Sequence, residues 1–76
     1  MKEALNAVII NLVGNQEAVS IKEIEGEKVI KFEVTVAKED MGKVIGRDGK
    51  NAKAIRTIMK SLAAKEHKRV NVEFMN

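Results

Sequence analysis

The sequence predicts an α+β fold, a single domain over residues 1–76 with three helices and three strands in the order αββααβ. Three observations lead to this prediction. Apolar residues recur at helical spacing near the N-terminus and again after residue 50, and they alternate with polar residues in the segments that follow each of these helices. The chain has only 76 residues, which is enough for one core, and its content of 45% apolar and 33% charged residues is typical of a folded globule.

The first three elements are predicted to be a helix and a hairpin. Leu5, Val8, Ile9 and Leu12 share one helical face, which indicates a helix over about residues 2–13 that stops at Gly14-Asn15. Residues 18–25 and 28–37 alternate apolar and polar side chains, and Gly26-Glu27 between them indicates a hairpin turn. Ile24 is out of phase with this alternation, which is tolerated on an edge strand.

The last three elements are predicted to be two helices and a strand. Residues 39–46 open with acids and close on Gly46, which favours a short helix, and a longer helix runs from Lys50 to about Lys65, where His67 ends it. Residues 68–74 alternate again and form the last strand. Since two helices separate the second and third strands, these strands are expected to lie parallel through a right-handed crossover, giving a mixed sheet.

The composition argues against an enzyme. The chain has no cysteine and one histidine, which excludes disulfides and a thiolate nucleophile and disfavours a metal centre. No Ser/His/Asp or Cys/His arrangement is present, so neither catalysis nor a cofactor is predicted. The apolar run at the N-terminus is interrupted by Asn6 and Asn11, lacks a cleavage pattern and is too short for a bilayer. We therefore expect a cytoplasmic protein without a membrane partner.

Positive charge is concentrated in the second half of the chain. Eight of the eleven acidic residues precede residue 41, whereas the basic residues predominate after it. In the long helix the apolar and basic residues separate into two faces, with Ala52, Ile55, Ile58, Met59 and Leu62 predicted on the core side and Lys50, Lys53, Arg56 and Lys60 on the other. A basic helix face is most often simply solvated, so this pattern does not by itself indicate a ligand.

Two glycines at the start of the long helix favour a ligand. Gly46 and Gly49 lack a Cβ, so the chain can adopt positive φ there, and a foreign backbone can approach the free N–H groups at the helix N-terminus. The cationic side chains of Lys43, Arg47, Lys50 and Lys53 lie within one or two turns of this predicted phosphate site. Singly, Gly46 is explained as a helix stop and Gly49 as an N-cap. As a pair before a basic helix they favour phosphate binding.

The spacing of the glycines excludes two common phosphate loops. A Walker loop requires a glycine where Val44 stands and a hydroxyl residue where Asn51 stands, and the dinucleotide motif also requires a glycine at Val44. What remains is G-x-x-G, the backbone clamp of single-stranded nucleic acids.

The stretch MGKVIGRDGKNAKAI, from Met41 to Ile55, resembles the signature of KH domains. The whole chain resembles a type II KH module, and within it the run Gly42–Thr57 is similar to the small bacterial KhpA family. This resemblance implies cytoplasmic binding of single-stranded RNA and a role as an RNA chaperone or post-transcriptional regulator. It also implies dimerisation, with itself or with a larger KH partner, KhpB (Jag), and in some bacteria a link to cell shape and cell-wall biogenesis.

The resemblance also implies roles for particular residues. Gly46, Arg47, Asp48 and Gly49 would form the loop against the backbone of about four nucleotides. An aliphatic groove for the bases would be formed by Val44, Ile45, Ile55, Val34 and Val36, with ordinary core as the alternative, which is favoured for Val34, Val36 and Ile55. Asp48 is acidic where many relatives are basic or neutral, so it is expected either to repel a phosphate weakly or to cap the following helix.

Dimerisation of the relatives directs attention to the outer edge of the long helix. Apolar residues span more of its circumference than a three-stranded sheet must cover, so Thr57, Ile58 and Ser61 are predicted as a dimer interface, with burial in the core as the alternative. Two functions follow from the sequence. The first is an RNA-binding module that uses the G-x-x-G loop, and the alternative is a KH-fold protein-interaction subunit with little RNA affinity of its own.

Overall fold

The computed structural model describes residues 1–75 and has the predicted order of elements, so the α+β fold is confirmed. The helices and strands are α1 (Lys2–Leu12), β1 (Ser20–Glu25), β2 (Val29–Thr35), α2 (Met41–Ile45), α3 (Lys50–Ala64) and β3 (Arg69–Met75). Short 3₁₀ turns at Gln16–Ala18, Lys38–Asp40 and Arg47–Gly49 precede β1, α2 and α3.

The three strands form one mixed sheet in the order β1-β2-β3. β1 and β2 are antiparallel, with Ile21 opposite Val34, and β2 and β3 are parallel, with Phe32 opposite Val72. The predicted parallel pairing is therefore confirmed. β2 lies in the centre and alternates strictly between buried and partly exposed residues after Val29, because one face of the sheet carries the core.

All three helices contribute to a core on one face of the sheet. Its buried members include Leu5 and Ile9 of α1, Ile30, Phe32 and Val34 of β2, Val44 of α2, and Ile55 and Met59 of α3. The prediction that Ile58 lies on the core face is wrong, because its side chain is 46% exposed. The buried stripe of α3 is narrow, consisting of Ala52, Ile55, Met59 and Ala63, since a helix on a small sheet contacts it along one line only.

The end of α1 is determined by a tertiary contact. The backbone N–H groups of Gly14 and Asn15 donate to the two carboxylate oxygens of Asp40, at 3.0 and 2.9 Å. Asp40 is buried, and these hydrogen bonds, followed by the Lys43 ammonium 3.5 Å away, lower the pKa of its carboxyl group. Gly14-Asn15 was predicted as a local stop. Its backbone is instead bound by an acid 25 to 26 residues later in the chain.

The end of α3 is a Schellman motif with histidine in the left-handed position. His67 has φ 59°, its N–H donates to Ala64 O at 3.0 Å, and the N–H of Lys68 donates to Ala63 O at 3.0 Å. His67 therefore ends the helix, as predicted. Among residues 1–75, no helix has the length and apolar character needed to cross a membrane.

Candidate nucleic-acid interface

The loop Gly46–Gly49 has three residues with positive φ. Gly46 has φ 77° and ψ 172°, Asp48 has φ 55° and ψ 25°, and Gly49 has φ 74° and ψ 15°. The predicted positive φ at both glycines is thus confirmed. Aspartate is among the few residues other than glycine that tolerate the left-handed region, which gives a local reason for an acid at position 48.

Asn51 connects this loop to α2 by a hydrogen bond. Its side-chain amide donates to Lys43 O at 2.8 Å, so the first turn of α3 is fastened to the last turn of α2. A Cβ added at Gly46 would lie 2.8 Å from Asn51 Cγ and 2.9 Å from its backbone N, which leaves room only for glycine. Gly49 is different, because a Cβ there would meet no atom within 4 Å. The role of Asn51 was not predicted from the sequence. Its position five residues after Gly46 was the only available signal.

The N-terminus of α3 directly follows this loop. Gly49 occupies the N-cap position, and no side chain within residues 1–75 caps the helix, so the prediction that Asp48 caps it is wrong. The reason is geometric, since Asp48 lies in the left-handed region one residue before the cap. The uncapped first-turn N–H groups of a 15-residue helix favour an anion, and the exposed side chains of Arg47, Lys50 and Lys53 surround them.

Lys43 takes a different direction from the other predicted cations. Its ammonium lies 3.5 Å from Asp40 Oδ1, and a Cβ at Gly14 would be 3.4 Å from the same nitrogen. The Lys43 side chain thus turns toward the end of α1, where it compensates the charge of Asp40. It would have to leave this ion pair to bind a phosphate.

A groove of about 500 Å³ extends from the loop along α3 to β3. Asp48 and Gly49 lie at its loop end, Lys53, Arg56 and Lys60 follow on α3, and Ile45, Ala52 and Phe74 supply its apolar surface. Ile45 is the one member of the predicted base groove that lines it, and its side chain is 37% exposed. The groove joins a cationic rim to an apolar floor.

The other four residues of the predicted base groove lie beneath the surface. Val34, Val36, Val44 and Ile55 are all buried in the core. In this conformation they support the groove from below and present no surface to a base. These four residues belong to the core, which is the alternative interpretation given above.

Arg56 and Phe74 line the groove but were not predicted as site residues from the sequence. Arg56 donates from Nε and Nη2 to Val72 O, each at 3.3 Å, and its guanidinium carbon lies 5.3 Å from the centre of the Phe74 ring. This cation–π contact covers an aromatic face inside the groove. Phe74 was assigned to the alternating strand and Arg56 to a basic face. Only the packing of α3 beside β3 brings them together.

Beside the groove, the outer edge of β3 has backbone groups that do not pair with β2. Arg69 N donates to Lys28 O and Val36 N donates to Met75 O, so the odd-numbered residues of β3 bond to β2. In a parallel pair the alternate residues then direct their N–H and C=O groups away from the partner strand. These are Val70, Val72 and Phe74, and Val72 O is the acceptor for Arg56. Donors and acceptors therefore line the groove beside Phe74.

The predicted dimer residues lie on the outer surface of α3. Thr57, Ile58 and Ser61 are all exposed, and a shallow depression of about 460 Å³ is lined by Thr57 and Ile58 with Lys50, Lys53 and Ala54. Thr57 and Lys53 line this depression and the groove alike, so the two surfaces adjoin.

The comparisons with known proteins agree with this architecture. The family model described as KhpA/KhpB, KH domain matches residues 2–74. The chain is 49% identical to a Clostridium acetobutylicum protein over 99% of this chain and 100% of that protein, and 45% identical to a Chlamydia trachomatis protein over 99% and 96% of the two chains. Both relatives are named RNA-binding protein KhpA.

A third relative of the same name, from Caldanaerobacter subterraneus, is 49% identical over 99% of this chain and its own full length. No solved structure gives a significant match. The match to the family model and the full-length similarity to these relatives show that the chain belongs to the KhpA/KhpB family of KH domains, which is a non-enzymatic family, as the sequence predicted.

Proposed function

We propose that this protein binds single-stranded RNA, holding the sugar–phosphate backbone at the loop Gly46–Gly49 and the bases in the groove between α3 and β3. The observation that carries the proposal is the position of the loop, whose bare backbone and uncapped helix N-terminus open directly into the groove. The shared name of the relatives, RNA-binding protein KhpA, supports RNA as the ligand.

The backbone of the RNA meets a site built from main-chain geometry and charge. The absence of a Cβ at Gly46 and Gly49 keeps side-chain atoms away from the approach path, and Arg47, Lys50 and Lys53 neutralise the phosphates. Asp48 opposes them with a single solvated charge, which costs about 1 kcal/mol or less. Because Lys43 is engaged with Asp40, we assign the main electrostatic contribution to the three other cations.

The bases meet an apolar floor and an exposed strand edge. Ile45 and Phe74 supply the apolar surface, and the guanidinium plane of Arg56 above Phe74 offers a stacking surface. The outward N–H and C=O groups of Phe74 can pair with the edges of unstacked bases. Recognition is therefore dominated by the backbone and only weakly selective for sequence, and a site for about four nucleotides gains selectivity by avidity in a dimer.

The test is a fluorescence-anisotropy titration of a labelled pool of short single-stranded RNA at several salt concentrations. If about three phosphates are neutralised, the slope of log K against log salt is near −2. R47D, which makes the loop read Gly-Asp-Asp-Gly, is expected to weaken binding by about tenfold or more, because it places a second negative charge against the phosphates. Arg47 is exposed, so the circular dichroism spectrum should stay unchanged.

The matched control is K22D, a charge reversal on the exposed surface of β1. It changes the net charge equally but lies on the opposite edge of the sheet from β3. Equal affinities of R47D and K22D, or a salt slope near zero, would exclude the loop as a phosphate clamp. Aspartate at Gly46 is a poor first test, since its Cβ would collide with Asn51 and confuse lost binding with lost structure.

A second function, as a protein-interaction subunit, is favoured by one observation. Ile58 is a large apolar residue at 46% exposure on a helix whose core contacts are already complete. We propose that Thr57, Ile58 and Ser61 form the contact of a homodimer or of a heterodimer with a KhpB (Jag) partner. I58E should leave the free energy of unfolding within about 0.5 kcal/mol and produce a monomer in sedimentation. If the parent protein sediments as a dimer, a variant that also sediments as a dimer would move the interface elsewhere.

The cellular role that fits both surfaces is that of a cytoplasmic RNA chaperone or post-transcriptional regulator. A link to cell shape or cell-wall biogenesis would act through the bound transcripts. Sequencing of RNA that co-purifies with the parent protein but not with R47D tests this role, and identical RNA pools would contradict it.

A further inference from the structure

We infer that the RNA-contact surface continues past the groove to a second phosphate-contact site, formed by Lys60, Arg69 and Lys28 around the N-terminal end of β3. This inference rests on the proposed function. It extends the bound segment of a single strand beyond the nucleotides held by the loop Gly46–Gly49.

Three depressions follow one another along this path. The groove ends at Lys60, which also lines an adjoining depression of about 250 Å³ together with Lys68, Arg69 and Val70. Arg69 in turn lines a third depression, of about 460 Å³, with Lys28, Val29 and His67. Each depression shares a cationic residue with the next, so the surface is continuous from the loop to the far end of α3.

The charged residues that line the second and third depressions are all basic. No acidic side chain lines the second or third depression. Lys28, Lys60 and Arg69 take part in none of the ion pairs formed by the described part of the chain. Lys68 differs from them, because its ammonium is bonded to Glu25. Three cations without a protein partner therefore border the depressions, and a polyanion would neutralise them.

The length of α3 separates this site from the loop. A helix of 15 residues spans about 22 Å, with the loop Gly46–Gly49 at its N-terminus. The second site begins at Lys60, in the last two turns of this helix, and continues past its C-terminus to Arg69 and Lys28. The loop and groove hold about four nucleotides, so the second site meets neighbouring phosphates of the same strand. Val70 is half-buried, and apart from the His67 imidazole no lining side chain has a ring on which a base could stack, so the site contacts chiefly the backbone and adds affinity with little added sequence preference.

The experiment compares RNA pools of two lengths, about five and about ten nucleotides, which cover the groove alone and the groove with the second site. The test variant is K28Q/R69Q, which removes two charges that do not line the groove. The control is K2Q/K22Q, which removes two exposed charges from α1 and β1. R47D is measured in parallel on both pools.

The parent protein should bind the longer pool more tightly, with a salt slope steeper by about 1.4 if two further phosphates are neutralised. K28Q/R69Q should lose this extra slope and weaken binding of the longer pool about fivefold, with the shorter pool unaffected. Equal binding of the longer pool by K28Q/R69Q and K2Q/K22Q would overturn the second site. Insensitivity of the shorter pool to R47D would instead overturn the proposed function.

Discussion

The two glycines of the loop Gly46–Gly49 should respond very differently to alanine, although the sequence motif treats them alike. Both have positive φ, where an L-residue costs roughly 1–2 kcal/mol. At Gly49 this is the whole cost, because the added Cβ meets nothing within 4 Å. We therefore expect G49A to lower the free energy of unfolding by about 1 kcal/mol.

At Gly46 two further costs are added. Its ψ of 172° at φ 77° places it in a region essentially restricted to glycine, where strain amounts to about 1–3 kcal/mol. The new Cβ would also lie 2.8 to 2.9 Å from Asn51, including 2.9 Å from its backbone N, so the first turn of α3 must shift. Overpacking of this kind costs about 1–3 kcal/mol. G46A should thus lose about 3 kcal/mol or more, a large part of the stability of a small domain.

Urea unfolding measures this difference directly. The midpoint should fall slightly in G49A and strongly in G46A at an unchanged m-value. Adding N51A to G46A should not restore the midpoint, since the backbone N of residue 51 remains in place and the bond to Lys43 O is lost. Equal losses in the two single variants, or a greater loss in G49A, would refute the argument that the packing of Asn51 distinguishes the glycines.

Three further predictions concern the acid at the end of α1, the end of α3 and the groove. The hydrogen bonds from Asn15 and Gly14 lower the pKa of Asp40, so the stability that they provide is present above the unfolded pKa and is lost as the pH falls through the folded pKa. D40N should therefore lower Tm at neutral pH by on the order of 10 °C, and its Tm should fall less on acidification than that of the parent protein. Profiles of Tm against pH that run parallel for D40N and the parent protein would contradict this. H67G should raise the free energy of unfolding by about 0.5–1 kcal/mol, because glycine suits the left-handed position. The control K65G, at a residue with right-handed helical geometry, should lower the free energy of unfolding by a similar amount. A stabilised K65G would show that the effect is not conformational. R56K keeps the charge but loses the planar contact with Phe74 and the paired bond to Val72 O. RNA affinity in anisotropy titrations should therefore fall about fivefold at an unchanged salt slope, and an affinity equal to that of the parent protein would contradict a role of the planar contact.

Local patterns predicted the elements well because each element is itself a local pattern. The alternation in β2 and the spacing of Leu5 and Ile9 in α1 follow directly from which face meets the core. Boundaries moved by a few residues at most, as with β1, which begins at Ser20 after a 3₁₀ turn. The same reasoning overestimated the buried face of α3, since helical spacing cannot tell how wide a surface the sheet offers to Ile58.

Side-chain partners were less predictable because they join distant parts of the chain. Asp40 was read as an acid suited to a helix N-terminus, and its bonds to Gly14 and Asn15 became visible only in the folded structure. Asp48 was expected either to repel a phosphate weakly or to cap α3, and the second alternative is wrong because Gly49 occupies the N-cap position. Such contacts depend on distances between elements, which a single sequence does not encode in any short spacing.

The sequence by itself determined the family, the order of the elements and the position of the loop, because G-x-x-G before a basic amphipathic helix is a contiguous motif with a local backbone requirement at Gly46 and Gly49. Only the tertiary structure decided what surrounds that loop. It buried Val34 and Val44 beneath the groove, brought Arg56 onto Phe74 and directed Lys43 toward Asp40. The physical reason is that backbone conformation is specified over a few neighbouring residues, whereas the surface available to a ligand depends on how whole elements pack.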